Sequence, residues 1–163
     1  MKPLALILVA TTALADPALA DPALADPASL ESGGKSAGFF NDVASLPDGR
    51  VVVVAEATRE PRSIGSYSVR LYGARNPEFP FDDFIAGAIR TRDGTLHSLT
   101  FKDVNDDGHA DLIVSVVSAG SGAYLSADAF SFSSTSINHL AHVEGLMPGT
   151  DIIAALKVAG TTD

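Results

Sequence analysis

The sequence predicts an all-β domain, an antiparallel sandwich or barrel, with one short helix packed near its C-terminus. Three observations lead there. Apolar residues come in short β-branched blocks or alternate with polar ones at a period of two. Turn-forming pairs such as Asp48-Gly49, Asp93-Gly94 and Pro148-Gly149 separate these runs at regular intervals. No long helical pattern alternates with the strands, which argues against a doubly wound sheet.

The elements follow in order. Asp48-Gly49 turns the chain into residues 51–55, four valines and an alanine that read as a buried strand. Residues 66–72 alternate, with Tyr67, Val69 and Leu71 on one face and Ser68 and Arg70 on the other. Residues 84–89 read as another strand, with a short helix as the alternative. Arg92-Asp93-Gly94-Thr95 reads as a hairpin turn into a strand at 96–101, and 103–108 as a second turn into the apolar run 112–117. Small residues at 118–122 form a loop. Residues 124–132 alternate again, Leu125, Ala127 and Ala129 opposite Ser126, Asp128 and Phe130, and 137–143 supply a last strand. Residues 152–158 have helical spacing, with Thr150 or Asp151 as N-cap. This makes seven strands or so in a chain of 163 residues, a one-domain length.

The N-terminus is an address. Lys2 precedes an apolar run from Leu4 to Ala10 and then an Ala-x-Ala site, the pattern of a secretory signal peptide. An Ala-Asp-Pro-Ala-Leu unit repeats from Ala15 and Ala20, with a variant at Ala25, so cleavage after Ala15, Ala20 or Ala25 fits equally. Residues 1–25 are therefore expected to be the signal and repeat, 26–36 a tail, and 37–163 the folded domain. The apolar run is too short to span a membrane, and no membrane insertion is expected.

Composition narrows the partners. The net charge of −9 leaves no basic patch for phosphates, so nucleic acid is excluded, and an acidic surface favours encounter with cationic partners. Without cysteine there is no disulfide, thiolate metal site or cysteine nucleophile. Ser121 is not a nucleophile elbow, because Ala119 stands where the first glycine belongs. His97, His109, His139 and His142 are scattered, and the spacing of three between the last two places them on opposite faces of a strand. No catalytic constellation is visible, so the chain is expected not to be an enzyme and to carry no cofactor or metal.

One segment nevertheless resembles a calcium loop. Asp103, Asn105, Asp107 and Asp111 place oxygens at alternate positions around Gly108. The closing glutamate is missing, since Val114 occupies position twelve, and a turn rich in turn formers accounts for the same residues. A calcium-binding exported β-domain with a structural or adhesive role is the alternative function.

The most informative stretch joins Gly120-Ser121-Gly122-Ala123 to Tyr124 between two strong strands. Gly120 and Gly122 are expected to permit unusual backbone angles that project Ser121, with the Tyr124 phenol held outward at the start of a strand. Ser121-Gly122-Ala123-Tyr124 matches the Ser-Gly-x-Tyr loop shared by several bacterial lysozyme-inhibitor families. Residues 60–72 (Glu-Pro-Arg-Ser-Ile-Gly-Ser-Tyr-Ser-Val-Arg-Leu-Tyr), 77–87 (Pro-Glu-Phe-Pro-Phe-Asp-Asp-Phe-Ile-Ala-Gly) and 124–130 (Tyr-Leu-Ser-Ala-Asp-Ala-Phe) resemble one of them, the periplasmic inhibitors of i-type (invertebrate-type) lysozyme. The resemblance runs from about Phe39 to about Lys157. It implies an antiparallel β-sandwich of about eight strands with one or two short helices, a periplasmic location and an i-type lysozyme as partner. It also implies that Ser121 and Tyr124 enter the lysozyme cleft on a loop shaped by Gly122. Arg62, Arg70 and Asp128 read as solvated surface that could rim the loop, and an exposed strand edge leaves room for a homodimer.

Overall fold

A computed structural model describes residues 38–161. The signal segment 1–25 with its three cleavage positions, and the tail at 26–36, lie outside the described residues. Within them the chain forms β1 (Asn41–Ser45), β2 (Val51–Glu56), β3 (Ile64–Tyr72), β4 (Phe84–Asp93), β5 (Thr95–Lys102), β6 (Asp111–Val117), β7 (Leu125–Phe132), β8 (Ile137–Leu146) and the helix α1 (Ile152–Gly160). Strands β1 to β4 make one antiparallel sheet and β5 to β8 a second, each in chain order. The predicted strands are all present. The eighth, β1, carries no apolar alternation to read: it turns Asp42 and Ala44 inward and leaves Val43 outside. The 84–89 segment is strand, not helix.

Two faces of the alternating strands build two cores. Val52 and Val54 of β2, Tyr67, Val69 and Leu71 of β3, Leu112, Val114 and Val116 of β6 and Phe130 of β7 pack between the sheets. The opposite face of the second sheet is also covered: Ile113, Ala127, Ala129 and Ala141 lie with Leu156 of α1. The small alanines let the helix sit close, so both rows of β7 are buried. Asp151 caps α1, its carboxylate accepting the N–H groups of Ile153 at 3.0 Å and Ala154 at 3.1 Å.

The turn expected at 92–95 is not a hairpin. Strands β4 and β5 belong to different sheets and are separated by Gly94 alone, so one long strand switches sheets at a corner. Asp-Gly is the common hairpin signal, but Gly94 has φ 120°, and a Cβ there would lie 1.9 Å from the carbonyl oxygen of Val117. Only glycine lets the corner rest directly on the backbone of β6.

Candidate functional site

The 118–124 loop projects from the end of the second sheet, where Val117 pairs with Leu125. Its neck is closed by Ser118 N–H donating to the Tyr124 carbonyl at 2.8 Å, and Ala123 N–H turns back to the Gly120 carbonyl at 3.3 Å. Ser121, Gly122 and Tyr124 are all exposed, Tyr124 with 48% of its surface open. A tyrosine held on a closed two-stranded neck presents its phenol with little entropy left to lose.

The glycines act differently from expectation. Neither Gly120 nor Gly122 has positive φ; the left-handed residue is Ala123, at φ 45°. For a residue with a Cβ that conformation costs about 1 kcal/mol, strain of the kind found where a loop presents groups for recognition. Gly122 serves by having no side chain. A Cβ there would stand 2.4 Å from Cε2 and 2.8 Å from Cδ2 of Tyr124, so the tyrosine ring lies across the glycine. Gly120, with nothing near its Cα in the Cβ direction, sets no such limit.

A second constellation was hidden from the sequence. Asp128, read as solvated rim, is 3% exposed. Its Oδ2 accepts the Tyr67 hydroxyl at 2.6 Å; its Oδ1 lies 3.0 Å from Arg90 Nη2, 2.7 Å from His139 Nε2 and 3.0 Å from His142 Nδ1. The two histidines do not face opposite ways. A bulge in the β7–β8 register, between Ala129 and Phe130, inserts an extra residue in β8 and brings both rings to one face. Tyr67 and Arg90 come from the first sheet and the other three from the second, so the cluster ties the sheets together across the core. Arg62 and Arg70 remain exposed, with Arg62 5.4 Å over the Phe39 ring.

Burial alone would raise the Asp128 carboxyl, but the Tyr67 and His139 hydrogen bonds and the Arg90 and His142 charges outweigh it and hold the group below the usual aspartate range. The Tyr67 phenol is pushed far up, first by burial and then by the adjacent carboxylate. An aspartate depressed in the folded state stabilises the protein fully above its unfolded value of about 3.9 and loses that contribution as pH falls through the folded value. The stability gap between the protein and an Asp128→Asn variant, read as urea midpoints, is therefore expected to be widest at neutral pH and to narrow below about pH 4. A gap unchanged down to pH 2 would contradict it.

The calcium-like segment is arranged as a turn. The Asp103 carboxylate accepts N–H groups of Asp107 at 3.2 Å and Gly108 at 2.8 Å, and Asp107 accepts His109 N–H at 2.8 Å. Asp111, 1% exposed, accepts Val104 N–H at 2.9 Å, and its burial pushes the carboxyl up. Lys157 of α1 pairs with Asp106. Among the described residues no group of three or more His, Asp or Glu side chains is placed to hold a metal.

The comparisons with known proteins agree on one family. The model for "Periplasmic lysozyme inhibitor of I-type lysozyme" matches residues 39–159. A crystal structure of that inhibitor from Aeromonas hydrophila is 50% identical, covering 72% of this chain and 98% of its own, with a TM-score of 0.69. The Aeromonas hydrophila inhibitor in complex with Meretrix lusoria lysozyme is 51% identical, covering 72% and 95%, with a TM-score of 0.68. No curated protein matches the chain.

Proposed function

The chain belongs to the family of periplasmic inhibitors of I-type lysozyme, and from that membership we propose how it acts: the 118–124 loop enters the lysozyme cleft and blocks it with Ser121 and Tyr124. The protein is an exported inhibitor of I-type lysozyme, active in the periplasm, and not an enzyme. The observation that supports the loop assignment is the exposed Tyr124 ring, laid across Gly122 on a neck closed by the Ser118–Tyr124 hydrogen bond.

The chemistry of the target suits these side chains. A glycoside-cleaving cleft carries two carboxyl groups about the scissile bond. The hydroxyls of Ser121 and Tyr124 can donate to a carboxylate, and such charge-assisted bonds are stronger than neutral ones. An uncharged donor also enters the cleft at lower desolvation cost than an ion. The net charge of −9 favours encounter with a cationic enzyme.

A plug and a sugar cannot share one cleft. Inhibition of an I-type lysozyme is expected to be competitive with a soluble oligosaccharide that fills the cleft. Simultaneous binding of inhibitor and oligosaccharide, seen by calorimetric titration, would move the contact elsewhere.

Gly122 supplies a finer test. In Gly122→Ala the added methyl displaces the Tyr124 ring, while nothing in the sheets is touched. Inhibition is expected to weaken about tenfold, as for a lost contact of about 1.4 kcal/mol, with the melting temperature almost unchanged. Full potency in the variant would show that the ring position does not matter.

A further inference from the structure

Beneath the root of the loop lies a buried arginine that neither the sequence motif nor the loop assignment uses. Arg92, near the end of β4, has a side chain with no exposed surface, beside Glu56, which is 1% exposed, at 3.8 Å. Its guanidinium donates to four backbone carbonyls: Arg62 at 2.8 Å, Pro61 at 3.1 Å, Ser66 at 3.2 Å, and Gly94. Glu56 in turn accepts the N–H groups of Leu96 at 2.7 Å and Phe40 at 3.0 Å. A planar fork with five donors can hold several carbonyls at once, which an ammonium cannot do in the same geometry.

The carbonyls so gathered belong to the 61–66 segment and to the Gly94 corner, which is tied to that segment again by Gly94 N–H donating to the Ser63 carbonyl at 2.8 Å. The corner is the seat of the loop. A Cβ at Gly94 would stand 1.9 Å from the Val117 carbonyl oxygen and 2.8 Å from Ser118 Cα, and Thr95 pairs with Val117. Ser118 then closes the neck onto Tyr124. We propose that Arg92 is a positioning residue for inhibition: it fixes the Gly94 corner, and the corner fixes the height and direction at which the 118–124 loop leaves the sheet. This rests on the reading that the loop is the inhibitory element.

Two measurements test it. In the unaltered protein, native-state hydrogen exchange is expected to place the Ser118 amide with the slow amides of Gly94 and Leu96; exchange at the rate of the exposed Gly120 amide overturns the seat, whether or not any variant folds. Arg92→Lys keeps the charge beside Glu56 but loses the fork. It is expected to weaken inhibition about tenfold in the natural background and only about threefold on Tyr124→Ala, where Ser121 is the one loop contact left to misplace, since groups acting through one element are not additive. Equal losses in both backgrounds overturn the proposal, because a general loosening of the fold would not depend on Tyr124. Unchanged inhibition in Tyr124→Ala alone marks a different failure, that of the loop reading, and removes the proposal with it.

Discussion

Tyr124→Ala is expected to weaken inhibition of an I-type lysozyme by at least about 30-fold, the loss of about 2 kcal/mol that defines a binding hot spot. The side chain qualifies on three counts. It is 48% exposed and therefore free to be buried by a partner. It is held against Gly122 rather than rotating freely. It couples a large apolar ring to a hydroxyl donor, a pairing enriched at interface centres. The same exposure makes the substitution harmless to the fold, since no core cluster includes Tyr124. The melting temperature is expected to move by less than about 2 °C. Inhibition assays beside thermal unfolding check both halves. A folded variant of full potency would take the loop out of the mechanism.

The largest effect on stability is expected at Asp128. Asp128→Ala removes the acceptor for Tyr67, Arg90, His139 and His142 together. The Tyr67 hydroxyl is then left inside the core between the sheets, without the partner that justified its burial. Arg90, with 36% of its side chain exposed, can turn to water and soften the loss. Breaking a buried charge network by removing one member costs about 3 kcal/mol, or about 10 °C in melting temperature for a domain of this size. Chemical denaturation should show the lower midpoint with an unchanged slope. A loss under about 0.5 kcal/mol would mean that the cluster does not tie the sheets together.

How much of this was legible in the sequence differs from element to element. The valine block in β2 and the alternation of Tyr67, Val69 and Leu71 announced the inner faces, because a sheet with one face on a core must repeat every two residues. Strand β1 was silent, its inward positions being Asp42 and Ala44. The Gly94 corner reads as a hairpin because Asp-Gly signals the conformation of one residue and not the sheet to which the next strand belongs.

The loop was legible as a motif but not as a mechanism. The expected glycine freedom falls instead on Ala123, and the real demand on Gly122 comes from a ring two residues away. The Asp128 cluster was out of reach for a related reason. Counting by twos separates His139 from His142, and only the bulge in β8 reunites them. Arg92, too, looks like any surface arginine until the carbonyls of the 61–66 segment and of the Gly94 corner are seen around it.

A crystal structure of this protein bound to an I-type lysozyme shows directly whether the loop is the inhibitory element. The 118–124 loop is expected inside the cleft, with the Ser121 or Tyr124 hydroxyl within about 3 Å of a carboxylate that acts on the glycosidic bond. A complex in which the cleft is covered by another part of the sandwich, with Tyr124 facing solvent, would contradict it.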